Sequence, residues 1–528
     1  MELQLIKSEW MRKYAAPALT GILLTLSQRT SLPINLGFMA WVALVPLLSA
    51  VRGVSQGERF VMGAVAGAAH FLTALYWMVG TLNTYGNLNI AGSFFVALLL
   101  VALETAYVVL FVLLLGLLID RAERIPTVVA APFLWIVIEF LRARTPFGGF
   151  PWVLLGYSQG SYTPLIQIAD LTGVWGVTFL VVMVNGMFVD VIEWCTREKR
   201  PSPWGSVAAA VLLVVSSIIY GIWRMGEVER RNEAGKPLVA ATVQGDVRQD
   251  VKWDERYESM ILSRQIKLQR EAVKAGAQFV VWPEAAMPFA FERDLTGVAL
   301  ANILVETGAY TLLGSVDYTF VNEEANFSNS AYLVGPNGIE GKYSKMHLVP
   351  FGEYIPLIKY LGFVDRLVKG AAGNFNAGTE AKVFRLPQGS FSVIICYEAI
   401  FGELVRRFRK EGAELLVNIT NDAWFGDTSA PRQHLAMAAF RCVENHCWMV
   451  RTANTGISAV VDPLGRVVAQ TPVFAEALLV EQVQFIPGAT PYARWGDIFL
   501  YSILAVAVAG MTFIMVKNIK RSKDESGN

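Results

Sequence analysis

The chain has 528 residues, 54% of them hydrophobic, 12% aromatic and only 17% charged, against about 25% charged in an ordinary soluble domain. This composition excludes a disordered chain, a coiled coil and an ordinary cytosolic enzyme, and a net charge of +1 gives a nucleic-acid partner no electrostatic support. Four cysteines are too few for a disulfide scaffold.

A bilayer core asks for about 20 apolar residues per helix. Apolar runs predict spans near residues 15–30, 36–51, 59–79, 91–118, 126–141, 173–192, 204–223 and 497–516. Lys7, Arg12 and Lys13 precede the first run, and no A-x-A-type site follows it, so it reads as a retained helix rather than a cleaved leader. Residues 224–495 contain no comparable run. The expected plan is a helical membrane domain of seven spans over 1–223, a water-soluble domain over 224–495, and a closing span with a basic tail over 496–528.

Lys and Arg in short loops set orientation. One set of segments, including Arg52, Arg59, Arg121, Arg124, Arg197, Lys199, Arg200 and Lys517, carries fourteen basic residues. The opposite set carries three: Arg29, Arg142 and Arg144. The first set is therefore expected in the cytoplasm with both termini, and the soluble domain outside it.

Within the soluble domain, strands are expected at Leu238–Gln244, Gln278–Trp282, Tyr310–Val316, Ser330–Gly335, Phe391–Ile395, Glu414–Ile419, Trp448–Ala453 and Ile457–Val461. Helices are expected at 255–275, 294–307, 398–411 and 430–445, the first with Ile261, Leu268 and Ala272 on one face. Alternating strands and helices predict sheets covered by helices, an α/β layered domain.

Three segments carry unusual residues. An apolar strand, Val280-Val281-Trp282-Pro283, ends in Glu284. The stretch Gly341-Lys342-Tyr343-Ser344-Lys345-Met346-His347-Leu348-Val349-Pro350-Phe351-Gly352 leads to Glu353. A third apolar strand, Val393-Ile394-Ile395, ends in Cys396-Tyr397-Glu398. In this order and inside a membrane frame, the motifs resemble the nitrilase superfamily, whose members use a Glu–Lys–Cys triad. The best match is its membrane-bound branch, the apolipoprotein N-acyltransferases. The likeness covers roughly residues 239–470, and Phe147-Gly148-Gly149-Phe150-Pro151-Trp152 looks like that branch's loop before its sixth span.

The resemblance implies an α-β-β-α sandwich beside a polytopic helical domain of about eight spans, in a bacterial inner membrane with the sandwich on the periplasmic side. It implies Cys396 as nucleophile, Glu284 as base and Lys345 as electrostatic stabiliser. Glu353, Tyr397 and Glu398 would support them; for Glu398 a plain helix N-terminal charge is the alternative. Trp253 matches the family's tryptophan near the acyl pocket, with core packing as its alternative. Asn329 is either a hydrogen-bond donor near the site or a turn residue. Phe147, Phe150 and Trp152 would help bind acyl chains. The donor would be a phospholipid and the acceptor the α-amino group of a diacylated apolipoprotein cysteine, with no metal and no organic cofactor. A membrane-tethered amidase and a catalytically silent scaffold are the alternatives.

The residues give the chemistry its own rationale. The thiolate is the reactive form of a cysteine. Cys396 at the start of a helix beginning near Glu398, beside the Lys345 ammonium, is expected to be shifted toward the thiolate. Residues Ile355–Val368 are too apolar for a solvated loop, and are expected either to dip into the membrane interface with Lys359, Arg366 or Lys369 near phosphate or to form a covered core helix. Cys442 and Cys447 could form a disulfide. His70 lies in a span, and His347 and His434 show no acid partner in sequence.

Overall fold

The computed structural model describes residues 9–32, 34–86, 88–121, 125–196, 201–321, 324–356, 375–510 and 512. The chain forms two compact units, one of Met1–Tyr76, Phe94–Ile222 and Asp497–Asn528, the other of Trp77–Ser93 and Trp223–Gly496. The second unit thus takes in residues 77–93, which hydropathy alone assigns to the membrane part.

The first unit is helical. Among the described residues three helices are long and apolar enough to cross a bilayer: Ile90–Arg121, Val174–Thr196 and Trp204–Glu233. Gln56–Ala74 and Trp77–Tyr85 qualify together as a fourth, bent by 54° at their break. The remaining expected spans are shorter than a bilayer crossing or interrupted. Ala16–Ser27 has 12 residues and continues a π-helical turn, Met11–Ala15, that carries Arg12 and Lys13, and Thr127–Arg142 has 16. Residues 36–51 form a 3-10 turn, Gly37–Trp41, and a short helix, Val45–Ala50, that opens on a proline. The closing helix is described over Ile498–Gly510. A hydropathy window sums apolar content and is blind to such breaks, which is why eight runs yield three or four crossing-length helices.

Several basic residues counted as loop charges are internal. Arg59 is fully buried within Gln56–Ala74 and makes two bonds to Asp120, at 2.5 and 2.8 Å. Arg52 pairs with Glu193 at 2.7 Å and Arg142 with Glu104 at 3.0 Å, all four buried. A charge neutralised inside a helix bundle carries little topogenic weight. Helix Gln56–Ala74 begins with a capping box, Ser55 and Glu58 bonding each other's backbone N–H. Farther along it, a Cβ on Gly63 would lie 2.7 Å from the Val109 Cα, and one on Gly67 3.0 Å from the Thr105 Cα. The two glycines, four residues apart, let this helix approach Ile90–Arg121 at backbone distance.

The second unit is a pair of six-stranded sheets. The first comprises β1 (Lys236–Gln244), β2 (Phe279–Val281), β3 (Tyr310–Val321), β4 (Glu324–Gly335), β5 (Gly338–Ser344) and β12 (Ala477–Phe485), in the order β12-β1-β2-β3-β4-β5. The second comprises β6 (Phe384–Leu386), β7 (Gly389–Ile395), β8 (Leu415–Thr420), β9 (Trp448–Ala453), β10 (Ala459–Val461) and β11 (Val467–Gln470), in the order β11-β10-β9-β8-β7-β6. Strands β1-β2-β3 and β7-β8-β9 are parallel cores with antiparallel edges. Buried on both faces, β7, β8 and β9 read as continuous apolar runs rather than alternating ones. The Phe279 and Phe391 rings meet across the sheets at 5.0 Å. Outside the first sheet, Ile261 and Leu268 of helix Glu258–Lys274 and Leu300 and Leu304 of helix Leu295–Glu306 pack on Val280, Trp282, Leu313 and Tyr332. Helices Gly402–Lys410 and Ala430–Asn445 accompany the second.

Strands β5, β6, β11 and β12 escape the sequence reading; β6 and β11 are short and β5 is polar, whereas β12 is long and opens on Ala477-Leu478-Leu479-Val480. The expected helix 398–411 also differs. Cys396–Ile400 is a 3-10 turn, and the α-helix starts only at Gly402.

Candidate active site

Parallel strands deliver their next residues to one edge of a sheet, and that edge is where chemistry collects in α/β folds. Glu284 follows β2, Lys345 follows β5, Cys396 follows β7 and Asn421 follows β8. Gly314 in β3 is required here. A Cβ at that position would meet the Pro283 carbonyl oxygen at 2.6 Å and the Glu284 Cα at 2.7 Å.

The Glu284 carboxylate is nearly buried and held at both oxygens. Oε1 accepts from Asn329 Nδ2 at 2.6 Å, and Oε2 accepts from the Asn421 backbone N–H at 2.9 Å. Lys345 Nζ lies 3.7 Å from Glu284 Oε1 and donates to Glu353 Oε1 at 2.8 Å. Asn329 Nδ2 also donates to Glu353 Oε1, at 3.0 Å, while Glu353 Oε2 accepts from the Val349 N–H at 2.8 Å. One ammonium and one amide thus tie two carboxylates together. Burial alone would lower Lys345, but Glu353 and Glu284 outweigh it and hold the ammonium above the usual lysine value.

Cys396 is 9% exposed and sits at φ 52°, in the left-handed region that a non-glycine residue occupies only at a cost of roughly 1–3 kcal/mol. Burial and then Glu284 push its thiol up, beyond what Lys345 recovers. This corrects the expected shift toward thiolate. The α-helix begins only at Gly402, six residues past Cys396 and too far for its dipole to act, and desolvation dominates. The resting group is a thiol that must hand its proton to a base as it reacts.

The surrounding residues hold that turn. Glu398 is fully buried; Oε1 accepts from Tyr343 Oη at 2.8 Å and from the N–H groups of Met346 and His347 at 2.7 and 3.1 Å, and Oε2 from the Ile395 N–H at 2.7 Å. It clamps the Lys345 segment to the Cys396 segment and, through the Ile395 N–H, also caps the 3-10 turn in whose first turn it stands. The Tyr397 ring packs against Phe401 at 5.0 Å, and His347 lies over Phe401 at 3.8 Å. Burial, with Lys345 nearby, takes His347 down to about 4.

Two groups have surroundings that the sequence does not reveal. His434 does have an acid: its Nδ1 lies 3.1 Å from Asp422 Oδ1, and its Nε2 lies 3.1 Å from the Cys396 carbonyl oxygen. A carbonyl only accepts, so Nε2 carries the hydrogen. Nδ1 then accepts from Arg451 Nη2 at 3.1 Å, the same guanidinium nitrogen that donates to Asp422 Oδ2 at 2.7 Å. Burial and Arg451 lower His434 and keep it neutral, while Arg451 holds Asp422 at about 2 against burial. Lys252 is the second group. It is buried, donates to the Glu284 carbonyl oxygen at 3.2 Å, and is brought down to about 8 by burial. Its neighbour Trp253, chosen on sequence, is half exposed and has Lys252 Nζ 5.9 Å from its ring centre.

In the first unit the Phe150 and Trp152 rings stack at 5.8 Å, and Phe147 is exposed. Trp152 is 1% exposed and stacked on Phe150, so it presents almost no surface to an acyl chain, contrary to the expectation. His70 Nδ1 bonds Thr25 Oγ1 at 2.9 Å, a contact between helices. Cys442 and Cys447 are both free and buried, so the suggested disulfide is absent. Of the apolar stretch Ile355–Val368, everything from residue 357, with Lys359, Arg366 and Lys369, lies outside the described residues.

A family model described as the apolipoprotein N-acyltransferase N-terminal domain matches residues 20–187, and a carbon-nitrogen hydrolase model matches residues 239–486. The apolipoprotein N-acyltransferase of Geobacter metallireducens is 37% identical over 510 residues, 95% of both chains. This chain belongs to the apolipoprotein N-acyltransferase family. The relative of that name from Methylococcus capsulatus is 33% identical over 472 residues, 88% of this chain and 89% of its own. Among solved structures, an amidase from Nesterenkonia sp. is similar over 49% of this chain and 93% of its own, at 20% identity and a TM-score of 0.37.

Proposed function

We propose that this chain acylates the α-amino group of the diacylglyceryl-modified N-terminal cysteine of apolipoproteins, using a membrane phospholipid as donor and Cys396 as the covalent carrier. The observation that carries the reading is the Glu284–Lys345–Glu353 cluster at the strand edge that also carries Cys396, whose thiol feels the charges of both Glu284 and Lys345. In the first half-reaction Glu284 takes the thiol proton as sulfur attacks the ester carbonyl. The Lys345 ammonium faces the oxyanion of the tetrahedral intermediate, where a fixed cation in a dry site is worth most. The C–O bond breaks, Glu284 returns the proton to the departing lysophospholipid oxygen, and a thioester remains on Cys396. In the second half-reaction the lipoprotein amine attacks the thioester, its proton passes through Glu284 to the leaving sulfur, and an amide is formed. Glu353 and Asn329 position Lys345 and Glu284. Glu398 and Tyr397 position the turn that carries the nucleophile.

Membrane placement follows from the substrates, since both are lipids. The finer arrangement we propose is an eight-span protein of a bacterial inner membrane, with helical regions 1–223 and 496–528, the catalytic domain 224–495 on the periplasmic side, and both termini cytoplasmic. Phe147, Phe150 and Trp253 are the residues proposed to meet acyl chains. Incubating the purified protein with phospholipid and mapping the adduct tests the route. A chain-length-specific mass increase on Cys396, discharged as an N-acyl group onto a diacylated cysteine peptide and absent in Cys396→Ala, is expected. Release of free fatty acid with no transfer to the peptide would refute the reading in favour of an amidase-like hydrolase.

A further inference from the structure

Helix Trp204–Glu233 changes character once. Its apolar part carries Leu212, Ile219, Ile222 and Trp223 as exposed side chains, and the next residue is Arg224. Glu227 and Arg231 follow at spacings of three and four, on one helix face. At 1.5 Å rise per residue, Arg224 and Arg231 stand roughly 2 and 12 Å along the axis beyond Trp223, so Arg224 falls within the polar layer of about 5–8 Å on one side of a bilayer and Arg231 just outside it. The chain returns to apolar sequence at the other end of the same unit. Trp495 is 68% exposed, and the apolar helix Ile498–Gly510 follows it. Tryptophans at both junctions suit an interface.

These two junctions meet. Arg224, Glu227 and Arg231 from the helix and Gly488, Arg494 and Trp495 from the returning chain line one cavity of about 270 Å³. Glu227 is its one carboxylate and pairs with Arg224. Arg231 Nη2 donates to the Pro487 carbonyl at 2.6 Å, a contact that orients the guanidinium but leaves its charge unneutralised. Gly488 has φ 90°, and a Cβ there would stand 3.2 Å from Arg231 Nη2. The wall behind is also basic. Arg409 is buried and donates to the Ile486 carbonyl at 2.8 Å, and Arg406 keeps a buried Nε without a partner among the described residues. Buried His446 is driven well below the usual histidine value chiefly by burial, with Arg224, Arg231 and Arg409 adding to the effect.

We propose that this cavity binds the headgroup phosphate of an anionic membrane phospholipid, as a site separate from the acyl-transfer centre, with which it shares no lining residue. Planar guanidinium forks match phosphate oxygens, and the excess positive charge selects a lipid that is net anionic over a zwitterionic one. The membrane, rather than free phosphate, is the source, because the cavity lies where the chain leaves apolar sequence and re-enters it. The proposal rests on the membrane reading of the helices given above.

The test uses the full-length protein in detergent, titrated separately with phosphatidylglycerol and phosphatidylcholine by native mass spectrometry, and with inorganic phosphate by thermal shift. Wild type is expected to retain phosphatidylglycerol at least tenfold more tightly than phosphatidylcholine. The Arg231→Gln/Arg494→Gln variant should lose that preference, and Arg494→Lys should keep most of it. Should the double variant fail to fold, Ala489→Asp places a competing carboxylate in the cavity with both arginines intact and should give the same loss. Equal lipid retention in wild type and these variants would overturn the proposal. So would saturation by millimolar inorganic phosphate with no preference between the lipids. Cys396→Ala protein keeps the cavity and should bind as wild type does, so failure of the acyl-transfer reading and failure of this one are told apart.

Discussion

Replacing Lys345 by Met tests the charge balance on which the proposed chemistry stands. The ammonium lies 2.8 Å from Glu353 and 3.7 Å from Glu284, and it is 1% exposed. At an effective dielectric of about 20, these distances correspond to attractions of about 6 and about 4.5 kcal/mol, much of it offset by the cost of burying three charges. Removing one partner leaves two carboxylates bridged only by Asn329, and a broken buried pair costs about 3–5 kcal/mol of stability. Loss of the cation facing an oxyanion costs about 10²–10³ in rate. Adding Glu353→Gln to Lys345→Met removes the repulsion without restoring the cation. The double variant should therefore regain most of the stability and none of the rate. Thermal unfolding in detergent reads the first quantity, and single-turnover accumulation of the Cys396 thioester reads the second. A Lys345→Met protein that acylates within tenfold of wild type would refute the assignment. So would a double variant whose rate recovers together with its stability.

Two further outcomes follow from residues that the sequence did not single out. Lys252 holds its proton less tightly when folded, at about 8, than in an unfolded chain, where lysine has its usual value near 10.5. The unfolded state therefore binds more protons between those values, so the lysine's penalty is fully present below pH 8 and fades as pH rises toward 10.5. Lys252→Met should stabilise the protein at pH 7 by up to about 3 kcal/mol, with the gain vanishing near pH 10. A gain that does not depend on pH would contradict the burial argument. His434→Ala removes the donor to the Cys396 carbonyl, and an error of about 1 Å in the nucleophile costs about 10² in rate. Thioester formation should slow by that order with its pH profile unchanged, and His434→Gln, which restores an N–H, should recover part of it. An unchanged rate in His434→Ala would remove His434 from the site.

The three residues proposed to react stand out in the sequence because each lies at or just past a strand end, Lys345 and Cys396 directly and Glu284 after Trp282-Pro283. Glu284, Lys345 and Cys396 stand out against the apolar or motif-bearing residues before them, and parallel strands bring such positions to one edge. Asn329 is harder to read, since it lies inside β4, opposite Val316, and its two acceptors come from separate segments. The His434–Asp422–Arg451 set joins a helix, a 3-10 turn and a strand through fully buried contacts, and no local pattern announces such a meeting. Lys252 shows the same limit from the other side. Beside a conspicuous tryptophan it looks like a solvated charge, and only the packing shows that it is buried. In the helical unit, composition reported the apolar content faithfully. It could not show that Arg59, Arg52 and Arg142 spend their charge inside the bundle, nor where a run is broken by a turn.

The state of the four thiols bears on inhibitor chemistry. Cys442 and Cys447 are inaccessible, Cys195 is exposed, and Cys396 is shielded and protonated at rest. Small anionic alkylators should mark Cys195 first, whereas an uncharged electrophile carrying a hydrocarbon tail, which does not require a preformed thiolate and tolerates a dry cleft, is the warhead suited to Cys396.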